Sequence, residues 1–307
     1  MVKKNHVPCN LCGSTDCTFL FDAIDRLHGC EGDFTYVKCK ACGLIYMDPQ
    51  VLPDEMKALY PPDYGPHQAR PRTKKGDLYG FRRKVQAAPV LQIMHRELSP
   101  ARRLLDAGCG TGAFLNDMKL LTGCEVYGVD VSNIAAITAK QYYGLSIFTG
   151  SVHEAPFPSG YFDVITAWSY LEHVNDPSKV LARFSDLLRP NGCCVIQTPN
   201  ADSFNARLFK EKWYHLDCPR HLYIYTPNTV TKLLEKSGLS VQRIFYEKTS
   251  KGILGSLQYA VYGDNYNPKH RDRLRKSSLL KTLVSPLSRA AALLRQSDVI
   301  VVLSRKH

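Results

Sequence analysis

Two short cysteine pairs, Cys9 with Cys12 and Cys39 with Cys42, open the 307-residue chain. Each pair encloses two residues and is followed by a glycine, Gly13 or Gly43, where bare backbone lets amides turn toward sulfur. Four thiolates delivered by two such hairpins make the closed tetrahedral site suited to a structural Zn2+. Cys17 and Cys30 lie between the pairs but have no partner at that spacing. The eleven cysteines are an odd number, which together with the pairing points to metal ligation and free thiols over a disulfide framework. The other reading is four reduced cysteines with no metal.

A second set of residues belongs to ligand binding. The segment LLDAGCGTG (104–112) puts Gly108, Gly110 and Gly112 where a strand enters a helix. Glycines there permit a tight turn and let a ligand lie against the backbone. Asp130 ends the next apolar run, where a carboxylate can accept from both hydroxyls of a ribose. Gly108, Gly110 and Ala113 alone also fit a dinucleotide fingerprint. Asp106 tilts the choice: it would repel a pyrophosphate but suits an ammonium group.

Downstream come GSVHEAPF (150–157), FDVI (162–165), LEHV (171–174), LLRPNG (187–192) and TPN (198–200). In this order and spacing the chain resembles the class I methyltransferases, especially the branch with the ubiquinone-type O-methyltransferases, over residues 102–250. The resemblance implies S-adenosylmethionine as cofactor. Asp106, Gly108 and Gly110 would hold its methionine end, Gly112 would belong to the same cofactor-binding turn, and Asp130 would hold its ribose. Val131 would lie beneath the adenine, Ser151 and Val152 at the adenine edge, and Trp168 near the sulfonium. Relatives commonly carry Asp where Ser151 stands, a weaker acceptor. The cysteine pairs resemble a zinc ribbon. Such a head on a methyltransferase body is similar to sugar C-methyltransferases of surface-polysaccharide pathways and also to a set of ribosomal RNA methyltransferases.

Methyl transfer to a hydroxyl requires an aligned acceptor and a base, which brings histidines forward. His173 follows the expected fourth strand. The loop WYHLDCPRHL (213–222) gathers His215, Asp217, Arg220 and His221, with Trp213, Tyr214 and Tyr223 around them. Polar density on an aromatic background suits a sugar or phosphosugar. His221 is the favoured base, with His173 and His215 behind it; each also fits an ordinary loop-packing role. Metal-dependent members of the ubiquinone branch carry an acid three residues before the Glu of a Glu-His pair. Ser169 stands there, which argues against a magnesium site on Glu172 and His173.

These residues need a scaffold. Apolar strands at 104–105, 125–130, 145–149, 162–168, 193–198, 241–248 and 298–304 alternate with helices at 114–121, 132–142, 177–188 and 226–238. That alternation predicts an α/β fold: a Rossmann-like, doubly wound, mostly parallel seven-stranded sheet. The expected organisation is a zinc-ribbon-like module at 1–50 and a basic linker and helix at 51–100. The core follows at 101–250, and a helical insertion with the final strand at 251–307.

The net charge of +12 concentrates in two places. Residues 68–103 hold ten Lys/Arg against two acids, among them Arg70, Arg72, Lys74, Lys75, Arg82, Arg83 and Lys84; a second cluster spans 269–276. Either these are solvated faces, or they meet an anionic partner: a nucleotide-linked or phosphorylated glycan, RNA, or a membrane surface through 269–295. In helix 279–294 Leu280, Leu283, Val284, Leu287, Ala291 and Leu294 share one face, for packing on the core, on a second subunit or on a membrane surface. No run approaches the roughly 20 apolar residues of a membrane span. No apolar stretch follows the basic first residues, so the expected location is the cytoplasm. Three functions stay open: methyl transfer to a small or glycan-type acceptor, methyl transfer to RNA, and a non-catalytic binding module on the same fold.

Overall fold

A computed structural model describes residues 2–60, 89–99, 101–263 and 273–307. The cations of 68–84, residues 269–272 and the first part of the helix read at 81–98 lie outside the described residues.

The N-terminal layer comprises β1 (Lys4–Asn5), β2 (Cys17–Ala23), β3 (Phe34–Cys39), β4 (Ile45–Met47) and β5 (Gln50–Val51). β1 pairs with β5, and β2, β3 and β4 form an antiparallel meander. A 3-10 helix at Pro53–Leu59 follows, where one helical turn is expected.

Helix α1 (Pro89–Glu97), within the linker and helix expected at 51–100, begins at a proline, which fits a first helical turn. The core then alternates: β6 (Arg103–Ala107), α2 (Ala113–Thr122), β7 (Glu125–Asp130), α3 (Asn133–Tyr143), β8 (Phe148–Thr149) and β9 (Phe162–Trp168). It continues through α4 (Pro177–Leu187), β10 (Leu188–Pro199), α5 (Phe204–Phe209), β11 (Tyr223–Ile224), α6 (Pro227–Lys236) and β12 (Leu239–Tyr246). Helices α7 (Lys251–Tyr262), α8 (Arg273–Lys276) and α9 (Ser278–Leu293) precede the last strand, β13 (Val299–Lys306).

Seven strands make the main sheet in the order β12-β13-β10-β9-β6-β7-β8. From β10 to β8 neighbours are parallel; β13 is antiparallel to both β10 and β12. This is the mostly parallel α/β sheet that the alternation predicts. Six of the seven residues of β9 are buried, as a central strand covered by helices on both faces requires. The helices show why they sit where they do. Asp176 caps α4 by accepting from the Lys179 amide, with Pro177 at its first position. Its buried residues Val180, Leu181, Phe184 and Leu187 form one stripe against the sheet. Thr226 and Thr229 cap α6 reciprocally.

One strand joins the two layers. β11, which follows β10 in the core, completes the N-terminal sheet antiparallel to β4, with Tyr223 opposite Tyr46 and Ile224 opposite Ile45. A single apolar cluster runs from Phe34, Tyr36 and Leu44 to Phe184, Leu233 and Tyr225. Asn10, inside the first cysteine hairpin, donates to Asp176 at 2.9 Å and accepts from the Ser178 amide at 2.8 Å, so that hairpin sits on the start of α4.

Candidate functional site

The carboxyl ends of β6 and β7 meet at the glycine turn. Gly108, Gly110 and Gly112 all have positive φ (70°, 50° and 74°), backbone that disfavours any side chain. The Asp130 carboxylate spans this turn and the next one, accepting from the Gly110 amide at 2.8 Å and from the Ser132 amide at 2.9 Å. One bond on each oxygen leaves lone pairs for further donors. Beside it Val131 presents an exposed apolar side chain. A carboxylate next to an apolar shelf fits a ribose and its base.

Asp106 lies under the turn, buried, accepting from the Thr166 hydroxyl at 2.6 Å. Burial pushes its carboxyl up to about 7; Thr166 opposes the rise and the charge of Asp130 adds to it. Ser151 is half-buried, its amide bonded to Glu154 at 2.7 Å. Val152 is fully buried in the core, with no exposed surface of its own. Trp168 stacks edge-on with Phe114 at 5.2 Å, and its buried indole N–H has no partner among the described residues.

Tyr170 is a residue that sequence reading did not single out. A Cβ added at Gly108 would lie 2.5 Å from its ring, so that ring is seated directly on the turn. The segment it begins leads to the second half of the site. Glu172 is fully buried, and neither carboxylate oxygen accepts a hydrogen bond from any described residue. Desolvation pushes it up to about 8. His173 and His221 meet edge to face with centroids 4.6 Å apart. His173 Nδ1 is 3.1 Å from the Arg220 carbonyl, and His221 Nδ1 is 2.9 Å from the His215 carbonyl. A carbonyl can only accept, so each ring carries its proton on Nδ1 and leaves Nε2 bare. Burial holds both imidazoles neutral, lowering His173 to about 4 and His221 to about 3. His215 is lowered by burial too, and its Nε2 has no partner among the described residues. One ligand atom from each of Glu172, His173 and His221 lies within 4.8 Å of the others, close enough to hold a cation.

Arg220 locks this half together. It has no exposed surface and grips Asp25 with both terminal nitrogens at 2.7 and 2.8 Å, and Asp217 at 2.7 and 3.1 Å. It also donates to the Leu59 and Cys218 carbonyls. Burial alone would raise Asp217, but the charge and hydrogen bonds of Arg220 outweigh it and hold the carboxyl well below its usual range. The other Asp217 oxygen stands 3.7 Å from His221 Nε2.

The loop therefore differs in two respects from a sugar-facing surface. Arg220 is spent on two internal carboxylates. Trp213 is buried and donates to Asp298 at 2.8 Å, and Tyr223 is buried in the N-terminal sheet, so much of the aromatic background is core. The N-terminal layer supplies partners that no motif announces. Tyr60 places its hydroxyl 3.1 Å from His173 Nδ1, Tyr36 donates to the His221 carbonyl at 2.7 Å, and Asp25 takes the Arg220 fork. These contacts bridge between 113 and 195 positions of chain, and local patterning carries no trace of them.

Cys9, Cys12, Cys39 and Cys42 converge so that their sulfurs all lie within 4.8 Å of one another, with Cys9 and Cys42 at 3.4 Å and Cys12 and Cys39 at 3.5 Å. Tetrahedral sulfurs about 2.3 Å from a common ion would be roughly 3.8 Å apart, so the cluster fits a zinc ribbon. Burial raises Cys39, but the amides of Cys42 and Ala41 and the Cys12 thiol outweigh it and bring it to about 7, favouring thiolate. Cys17 and Cys30 stand outside the cluster. None of the eleven cysteines is in a disulfide.

Residues 79–244, just over half the chain, match the methyltransferase-domain family. The chain is similar to the ubiquinone biosynthesis O-methyltransferase of Rhodopseudomonas palustris (strain BisA53), 31% identical over 149 residues that make up 45% of this chain and 58% of that one. The enzyme of the same name from Cereibacter sphaeroides (strain ATCC 17029 / ATH 2.4.9) is 33% identical over 149 residues, 45% of this chain and 60% of its own. The chain thus spans under two thirds of the length of these relatives. A crystal structure from Galdieria sulphuraria, named for sarcosine dimethylglycine methyltransferase, superposes with a TM-score of 0.53 at 17% identity over 73% of this chain and 85% of that one, a likeness of fold. With the glycine turn, Asp130 and the sheet order in place, the chain belongs to the methyltransferase-domain family.

Proposed function

We propose that the chain transfers a methyl group from S-adenosylmethionine to oxygen or carbon of a small, glycan-type acceptor, a nucleotide-linked or lipid-linked sugar, while the four cysteines hold a structural Zn2+. The observation that carries this reading is the continuity of the segment from Tyr170 to His173. It begins on the glycine turn and ends among two neutral imidazoles with bare Nε2 atoms.

The cofactor supplies an activated methyl and a good leaving group, so the protein's task is to align the acceptor and take a proton. Asp130 and Val131 would hold the nucleoside, and Asp106 the ammonium. His221 is the base this reading assigns. His221 Nε2 lies 3.7 Å from an Asp217 oxygen, whose negative charge opposes, without overcoming, the burial that disfavours the imidazolium. His173 and the His215 carbonyl orient that ring.

His221→Ala tests the assignment, with nucleotide-sugars, lipid-linked sugars and RNA offered in parallel. The expected result is turnover on a sugar acceptor, abolished in the variant, with cofactor affinity unchanged. Intact turnover would remove His221 from the mechanism, and turnover on RNA alone would replace the acceptor class.

A further inference from the structure

Helix α9 buries none of its residues. Its half-buried positions Leu280, Val284, Ser288 and Ala291 lie on one side, while Leu279, Leu283, Leu287 and Leu294 point away, 68%, 63%, 59% and 71% exposed. Spacings of four, four and seven put those leucines on a single stripe. Helix α7 packs on α9 and adds exposed Leu257 and Val261. An unpartnered apolar face of this kind marks an interaction surface.

The charges name the partner. Residues 273–297 contain six Lys/Arg and no acid. Lys281, Arg289 and Arg295 are exposed along the helix, and Arg273 is exposed just before it. A second copy laid on this stripe would bring the cations of 273–297 against their own copies, with no acid in that segment to answer them. A leucine stripe on a segment whose only charges are cations complements an anionic lipid surface, where the leucines enter the acyl boundary and the cations reach headgroups. No described helix is long and apolar enough to cross a membrane, so this contact lies in the plane of the interface. We infer that the α7–α9 face docks the protein on anionic membranes. On its other side α7 packs against the turn Tyr214–Leu216, and Arg275 of α8 reaches the Tyr214 hydroxyl, so the docking layer rests on the loop that holds His215.

The surface stands apart from the choice of acceptor, and its test needs neither cofactor nor substrate. The full chain is sedimented with vesicles of equimolar phosphatidylglycerol and phosphatidylcholine, and with vesicles of phosphatidylcholine alone. The inference expects binding to the anionic vesicles, a loss of at least about tenfold in partitioning for the double variant Leu283→Gln, Leu287→Gln, and a comparable loss at about 0.5 M salt. The substituted side chains are exposed, so the unfolding midpoint should hold. Equal binding by both proteins, or none by the native chain, would overturn it. So would a dimer that the double substitution dissolves while vesicles stay unbound, which would hand the face to a second copy.

Discussion

The glycine-turn half and the histidine half of the candidate site, proposed to face cofactor and acceptor, are assembled from very different lengths of chain. Asp106, the 108–112 turn, Asp130 and Val131 come from two successive strands, and the bonds that shape them span 20 positions between Gly110 and Asp130 and 60 between Asp106 and Thr166. The surroundings of His173 and His221 draw on Asp25, Tyr36, Tyr60, Glu172 and the 213–222 loop, closed by the ion pairs of buried Arg220 with Asp25 and Asp217. A local motif can bind the same cofactor wherever it is placed. A site stitched from distant segments depends on the whole fold, including the N-terminal layer, and can be re-cut for a new acceptor by changing any one segment.

The strongest way to break this contrast is Arg220→Met. It leaves the Asp25 and Asp217 carboxylates buried without their partner and should cost about 3–5 kcal/mol, read from chemical unfolding. Asp130→Ala in the same assay should leave stability nearly intact, and a reversal of that order would collapse the distinction. Acidity sharpens the cofactor side. Asp106 has a raised folded-state pKa, from 3.8 to about 7, so its contribution to the stability of the ligand-free chain is fully present below 3.8 and lost as pH rises through 7. Binding an ammonium group requires the carboxylate instead. Cofactor affinity should therefore fall by up to about tenfold per pH unit below about 7, while Asp106→Asn should bind weakly at every pH; a flat native profile would contradict the role. The smallest effect is at the edge of the acceptor side. Thr226→Ala removes the cap of α6 and should cost about 1 kcal/mol, with the Arg220 cluster unaffected.

What was legible follows the same division. Glycines that need positive φ, a carboxylate at a strand end and short apolar runs between helices are local signals, so the sheet, the place of Asp130 at a strand end and the cysteine hairpins could be read directly. The third strand, read at 145–149, is only two residues long because it pairs at the sheet edge with β7 alone. The joining of β11 to the N-terminal sheet could not be read, since a two-residue strand carries no period. Arg220 and Trp213 were misjudged as ligand-facing because residue type says nothing about which partner is near. Asp25, 195 positions away, takes the Arg220 charge.

The most direct test is calorimetric titration of S-adenosylmethionine and S-adenosylhomocysteine into the zinc-loaded protein, repeated with Asp130→Ala. The account predicts binding in the micromolar range, about −8 kcal/mol, abolished by the substitution. Absence of binding to the native chain would contradict it and leave a methyltransferase fold retained for a non-catalytic role.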